Sequence, residues 1–431
     1  MLYRNLSVNE AGHLAIAGVD ACELAAQFGT PLYVLDEDVV RANCRTYVQA
    51  MREYLPAGSM PLYASKALCF KGIYPVVASE HMGADVVSPG EIATALAAGF
   101  PADHLYFHGT NKTDADIAYG VEQGVGCFVV DNVNELVSLG ATACAHGVTQ
   151  RVLLRVTVGL DPHTLEAINT GKVDSQFGVP IETGQALRFV AKALATDGVE
   201  VVGFHSHIGS QIFEATSFCD QVDRLLAFAC AVRDELGYVA DAFNLGGGFG
   251  VRYVETDPQV DIAANIAAIA EHLRAGCAAA SYPVPRVLME PGRSIVANAG
   301  VTLYATGGIK TVEGYRDYVT VDGGMTDNPR YALYQSAYTV INASRANEPA
   351  DLECTIAGRC CESGDRIAEG IRIARPERGD IIAVLTTGAY NFAMSSNYNR
   401  VLRPALVMLS DGKARLAVRR QTVDDLLALE L

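Results

Sequence analysis

Between residues 60 and 293 the chain repeats one pattern eight times: a short β-rich apolar run, ending in all but one case in Gly, Ser, Asp, His or Glu, followed by a segment with helical spacing. The runs are PLYAS (61–65), ADVVS (84–88), LYFHG (105–109), CFVVD (127–131), VLLRV (152–156), VVGFHSH (201–207), AFNLG (242–246) and RVLME (286–290). Ala-rich amphipathic stretches such as residues 91–98, 134–145 and 216–236 lie between them, spaced to pack helices on a sheet. Parallel strands need such crossovers, and eight alternations predict a closed parallel (β/α)8 barrel, TIM-like in plan. An open doubly wound sheet shares the alternation, but the first turn has no GxGxxG. Polar residues unusual for a core stand where the runs end, at Lys66, Ser88, His108, Asp131, His207, the glycines Gly246, Gly247 and Gly248, and Glu290. In a barrel those carboxyl ends share one mouth.

A chain of 431 residues exceeds what one core usually organises, so a second domain is expected. After Val296 the texture becomes strand-like, in VTLYATGGIKTV, YVTVDGG, ECTIAG, DIIAVLTTGAY and ALVMLSDGKARLAVRR. An isolated strand-like segment at 14–17, with PLYVL beyond it, has no place in the barrel. The expected fold class is therefore α/β plus all-β. Residues 31–295 form the barrel, and residues 1–30 join 296–431 in a β domain.

Composition narrows the partners. A net charge of −16, from 49 acidic and 33 basic residues, would repel a phosphodiester backbone, so no nucleic acid is expected. The 11 cysteines are scattered without a CxxC pair, and MLYRNLSVNE has no apolar signal core; both suit a reducing cytoplasm. The longest Ala-rich stretch, residues 262–280, is broken by Glu271 and Arg274, so no membrane span is expected.

The chemistry is sought at the strand ends. Lys66 in YASKAL ends the first run. Alone it reads as a solvated surface charge, whereas an amine at the bottom of an apolar pocket loses hydration and can form a Schiff base. The company is NLGGGFG (244–250) after the seventh run. Successive glycines let backbone N–H groups close around an anion, and late barrel loops are the usual phosphate site of this fold, although a glycine run alone is more often a plain turn. Ser210 in HIGSQ and Arg293 in EPGR add possible phosphate donors. Glu290, closing the eighth run, would hold a proton on the nitrogen of an aromatic cofactor ring, or simply pair with Arg293.

His205 and His207 point the same way if the strand runs straight through both, as an HxH metal pair would. A metal site needs further ligands, for which His108 and Asp131 are the candidates. The alternatives are one imidazole stacked on a flat cofactor, and a hydrogen-bonded core histidine at 205. In the β region, GRCCESGD (358–365) reads as an exposed loop able to present a thiol proton donor; CC without a second pair is poor zinc spacing, so no metal is assigned. DGGMTDNPRYALY (322–334) and GAYNFAMSSNYN (388–399) are similarly rich in Gly, Arg, Tyr and Asn.

Taken together, YASKAL, SPGE, HGTNK, VDN, DSQFG, HSHIGSQ, NLGGGFG, EPGR, DGGMTDNPR with ALY, CESGD, and GAY with MSSNYN resemble the meso-diaminopimelate decarboxylases over essentially the whole chain. That family has an alanine-racemase-like barrel, a β domain and the cofactor pyridoxal 5'-phosphate. The resemblance implies decarboxylation of meso-2,6-diaminopimelate to L-lysine, with Lys66 as the Schiff-base lysine and His207 stacked on the ring. It places Ser210, Gly246, Gly247, Gly248, Pro291, Gly292, Arg293 and Tyr390 in cofactor binding and Glu290 at the ring nitrogen. Arg293, Arg330, Tyr334, Glu362 and Tyr390 would bind substrate, and Cys361 would be the proton donor. Cys361 and Glu362 would serve the partner subunit's site, which implies a homodimer. The sequence departs from the family at Gln176, Tyr331, Tyr338 and Leu406. Three other readings stand beside this one: a related decarboxylase of ornithine, arginine or carboxynorspermidine; a metal-dependent barrel hydrolase; and a non-catalytic barrel that carries pyridoxal phosphate.

Overall fold

The computed structural model describes residues 2–160 and 174–431. It contains two compact units, one of Asn43–Gly250 and Gln259–Gly292, the other of Met1–Ala42, Val251–Pro258 and Arg293–Leu431.

The first unit is a closed barrel of parallel strands, Met60–Ala64, Gly83–Val86, Leu105–Phe107, Cys127–Val130, Gln150–Thr157, Val199–His205, Ala242–Asn244 and Arg286–Met289, each paired with its neighbours in chain order. The ring closes where Leu288 and Met289 pair with Met60 and Pro61. All eight runs of the sequence are strands here. Leu62, Val129, Leu153 and Leu288 fill the interior with 1% exposure or less. A two-residue strand, Val179–Pro180, adds to the end of Gln150–Thr157.

Several strand-to-helix steps are fixed by capping. The side-chain oxygens of Ser88, Thr113, Asn132 and Asp261 accept from the backbone N–H of Glu91, Asp116, Glu135 and Ala264, satisfying donors that the first helical turn would otherwise leave unpaired. This accounts for much of SPGE and VDN: Ser88 caps Pro89–Ala97, with Pro89 in its first turn, and Asn132 caps Val133–Ala145. The helix over 216–236 is found as Thr216–Leu236, closed by Gly237 at φ 69°, a left-handed value that glycine adopts without a Cβ clash.

The second unit is a mixed β sheet. Its order is Arg366–Ile373, Leu352–Ala357, Arg316–Val321, Gly300–Val312, Leu32–Asp36, Ala405–Ser410 and Lys413–Val418, and Gly300–Val312 also pairs with Ile381–Leu385, which pairs with Val340–Asn342. Leu32–Asp36 lies antiparallel to Gly300–Val312 and parallel to Ala405–Ser410, so this strand belongs to the C-terminal sheet although it stands within residues 31–295, the range expected for the barrel. A small antiparallel sheet, Leu6–Val8, Leu14–Ile16 and Val19–Asp20, packs into the same core through Leu14 and Ile16. The strands Val340–Asn342 and Arg366–Ile373 carried no clear signal. In RIAEGIRI, Gly370 and the charges at Arg366, Glu369 and Arg372 interrupt the apolar alternation that marks a strand. Among the described residues no helix is long and apolar enough to cross a membrane.

Leu153 has no exposed surface inside the barrel. Leu153→Ala should therefore cost about 2–5 kcal/mol through lost burial and a residual cavity, read as a lower urea midpoint. An unchanged midpoint would contradict the assigned interior.

Candidate active site at the barrel mouth

Lys66 stands in the single 3-10 turn Ser65–Ala67 that ends the strand Met60–Ala64. Ser65 and Ala67 are buried and Lys66 is exposed. The turn places the small neighbours inward and leaves Lys66 exposed, as a solvated charge would be. Its charge nonetheless acts on Asp85, Glu91 and His207, all groups of the barrel mouth. The first and eighth strand ends are joined closely, since Ala64 N–H donates to the Pro291 carbonyl at 3.1 Å. A Cβ at Gly292 would lie 2.9 Å from Ala64 Cβ and 3.0 Å from Ala67 Cβ, closer than packing allows.

Glu290 is the best-held group at the mouth. Its Oε1 accepts from Asn244 Nδ2 at 2.6 Å and lies 2.8 Å from His108 Nε2, and its Oε2 lies 3.3 Å from His205 Nε2. Burial raises its pKa, but His108 and then His205 outweigh burial and hold the carboxyl well below its usual range. Burial drives His205 down to about 4 against the pull of Glu290, so this imidazole is neutral at pH 7 and, as the tautomer that suits its partner, donates from Nε2. The same Asn244 accepts the Gly246 N–H on Oδ1 at 2.9 Å, and Glu290 N–H donates to the Gly246 carbonyl at 2.9 Å. Carboxylate and glycine loop are therefore one hydrogen-bonded unit.

The two histidines of HSH diverge. Val199–His205 ends at His205, Ser206 N–H donates to the Asn244 carbonyl at 2.9 Å, and the chain turns, so His207 stands beside Gly246 while His205 faces Glu290. Among the described residues of the mouth, the cluster of three potential ligands within 4.8 Å of one another is His108, His205 and Glu290, without His207; a second such group, His13, Asp20 and Cys22, lies in the β unit. Burial, and next the charge of Lys66, push His207 well below the usual imidazole value. Gly246 has φ 69°, and a Cβ at Gly247 would fall 2.2 Å from the Glu290 carbonyl oxygen. The Gly246 N–H is committed to Asn244, whereas among the described residues the N–H groups of Gly247 and Gly248 have no hydrogen-bond partner. The Gly248 carbonyl accepts from Ile212 N–H at 2.9 Å, which fixes the loop carrying Ser210 against the glycines.

Other motif residues prove structural. Lys112 of HGTNK is buried and donates to the carbonyls of Gly109 at 3.0 Å and Val129 at 2.9 Å and to Glu135 Oε1 at 2.7 Å. Asp131 accepts from Gly178 N–H at 3.0 Å and lies 3.8 Å from Arg155 Nε, away from the histidines as a ligand set. Sequence reading missed Asp85, an acid within an apolar strand, 3.9 Å from His108 and with its pKa raised by burial. That interior acid was the available signal. Glu91, an unassigned part of SPGE, is pushed up to about 7 by burial and next by Asp85.

In the β unit, Arg293 and Arg330 converge on Tyr253, which sequence reading did not single out. Arg293 Nη1 donates to the Tyr253 hydroxyl at 2.6 Å and Arg330 Nη1 at 2.8 Å. Arg293 lies over the Tyr390 ring at 4.9 Å, and Arg330 over Tyr390 at 5.8 Å and Tyr334 at 6.0 Å. Cys361 and Glu362 are exposed and stand outside this cluster, on the GRCCESGD loop. Asp365 anchors that loop, accepting from Met325 N–H and Cys360 N–H at 2.6 Å each, and Cys361 N–H donates to Asn399 Oδ1 at 2.8 Å. CESGD, DGGM and SSNYN are thus bound together as one loop cluster.

Comparison with known proteins follows the same lines. A family model described as pyridoxal-dependent decarboxylase, pyridoxal binding domain, matches residues 39–297. The diaminopimelate decarboxylase of Bacillus subtilis (strain 168) is 41% identical over 425 residues, 98% of this chain and 96% of that protein. The chain belongs to the diaminopimelate decarboxylase family. The crystal structure of diaminopimelate decarboxylase from M. jannaschii in co-complex with L-lysine matches with a TM-score of 0.91 at 32% identity, covering 99% of this chain and 98% of that one. Lysine/ornithine decarboxylase from Vibrio vulnificus complexed with putrescine matches less well, with a TM-score of 0.74 at 25% identity over 90% of this chain and 96% of that one.

As a pyridoxal-dependent decarboxylase the chain uses pyridoxal phosphate, and its residues fit that group. Gly247 and Gly248 offer unpartnered N–H donors where any Cβ would collide, Glu290 is ionised, and a lysine amine acts on the same mouth. Gly247→Ala should reduce cofactor affinity by about tenfold or more, measured by titrating apoprotein with pyridoxal phosphate and following its absorbance. Wild-type affinity in this variant would remove the glycine loop from the phosphate site.

Proposed function

We propose that this member of the diaminopimelate decarboxylase family is a pyridoxal-phosphate-dependent carboxy-lyase that converts meso-2,6-diaminopimelate to L-lysine and CO2, the last step of lysine biosynthesis. The observation that carries the reading is the meeting of a lysine, a glycine cradle and an ionised carboxylate at one barrel mouth, on a chain that matches the family end to end. The bound cofactor supplies an electron sink for the carbanion left when CO2 departs.

The chain's own residues divide the remaining work. Lys66 would hold the cofactor covalently, its amine being the group exchanged for the substrate amine. His207 would stack on the ring, and Ser210, Gly246, Gly247, Gly248, Pro291, Gly292, Arg293 and Tyr390 would hold the cofactor in place. Glu290, kept ionised by its neighbours, holds a proton on the ring nitrogen. Arg293, Arg330, Tyr334 and Tyr390 bind the end of the substrate that does not react, the guanidiniums through its carboxylate and Glu362 through its ammonium. Cys361 delivers a proton to the carbon that has lost CO2. The exposure of Cys361 and Glu362 supports their acting in the active site of a second copy, so the working form is a homodimer. The cytoplasm is the expected compartment, consistent with 11 cysteines that are all free.

Purified holoenzyme should release CO2 from meso-diaminopimelate and not from ornithine or arginine; the reverse preference would replace this reading with that of a related decarboxylase. Cys361→Ala should lower turnover by about a hundredfold or more while cofactor absorbance is retained. Unchanged turnover would remove its donor role, and Lys66→Ala protein decarboxylating at the normal rate would overturn the covalent scheme.

A further inference from the structure

Tyr253 sits in the segment Val251–Pro258 of the β unit, directly after the glycine-rich stretch in sequence, and no motif marks it. Its side chain is 5% exposed, and Arg293 and Arg330 are each 6% exposed. Each guanidinium uses an Nη1–H on the same phenol oxygen, at 2.6 and 2.8 Å. Two buried cations facing one neutral oxygen repel each other, and a buried guanidinium ordinarily has a carboxylate beside it. Among the described residues, no carboxylate pairs with Arg330.

The tyrosine is held from three sides. Its N–H donates to Asp257 Oδ2 at 2.8 Å, its carbonyl accepts from Thr339 Oγ1 at 2.8 Å and Thr339 N–H at 3.1 Å, and its ring packs edge-on against Tyr338 at 5.4 Å between centroids. With backbone and ring both fixed, the oxygen is a rigid point to which two otherwise long and mobile arginines are tied. Burial raises the pKa of this phenol, but Arg293 and Arg330 outweigh it, so the net shift is downward and the oxygen is strongly polarised toward them.

We propose that Tyr253 is a positioning residue for substrate specificity: it fixes Arg293 and Arg330 as a preformed two-guanidinium clamp for the non-reacting carboxylate of an amino-acid ligand. This rests on the reading above that the two arginines bind substrate, and adds the residue that makes them a carboxylate-selective pair. Without the phenol oxygen each guanidinium loses a charge-assisted bond and must be ordered by the ligand itself, so the loss falls on ligands that carry the carboxylate.

The test compares wild-type and Tyr253→Phe holoenzyme for inhibition by L-lysine, which has the carboxylate, and by 1,5-diaminopentane, which lacks it. Lysine affinity should fall about tenfold in the variant, KM for meso-diaminopimelate should rise by a similar factor with a smaller change in kcat, and diaminopentane affinity should stay within about twofold. Cofactor absorbance monitors folding. Tyr253→His, which keeps a polar ring atom, provides a second variant and should lose less lysine affinity than Phe. Equal losses for both inhibitors, or lysine binding unchanged or tighter, would overturn the proposal. Failure of the wild-type enzyme to act on meso-diaminopimelate would instead strike the functional reading on which it rests.

Discussion

A carboxylate buried to 7% exposure is costly unless its neighbours replace the water it has lost, and Glu290 is where the barrel meets that requirement. Asn244 donates to it directly, His205 faces it as a neutral imidazole, and His108 lies against its other oxygen. These groups come from three other strand ends, so the charge of Glu290 can be kept only if the barrel closes in this register. The same hydrogen bonds carry the glycine loop, through Asn244 to Gly246 N–H and Gly246 carbonyl to Glu290 N–H. The electrostatic device and the anion cradle therefore stand or fall together.

That coupling explains why glycine is required at so many points of the mouth. A Cβ on Gly247 would lie 2.2 Å from the Glu290 carbonyl oxygen, and Gly292 lies against Ala64 and Ala67 beside the lysine. Small residues bring the first, seventh and eighth strand ends close enough for backbone groups, which carry no rotamer entropy, to form the site. In the β unit the strategy differs: Tyr253, Tyr334 and Tyr390 surround two arginines with aromatic faces, organising cations by rings and one phenol oxygen.

Much of this was legible in the sequence because barrel strands announce themselves by period and by polar residues at their ends. Lys66, Gly247 and Glu290 stand out as exceptions to an apolar pattern, and the barrel fold alone brings them to one mouth. Whether His205 and His207 share a direction was open from the sequence, since nothing in FHSHIGSQ reveals that the strand stops at His205 and the chain turns. Lys112, within HGTNK, satisfies buried carbonyls and Glu135. Tyr253 could not be found at all: its partners lie 40 and 77 positions away, and only the folded β unit assembles them. Local pattern reports which face of an element is buried, not which distant cations share an oxygen.

We propose that an ionised Glu290 serves the ring nitrogen of the cofactor, and the direct measurement is steady-state CO2 release by Glu290→Gln protein loaded with pyridoxal phosphate, with absorbance showing that the cofactor is bound. A neutral amide of the same size should leave the cofactor in place and lower turnover by about a hundredfold or more, because the charge that keeps the nitrogen protonated is gone. Turnover within about twofold of wild type in the fully loaded variant would contradict the account at its centre.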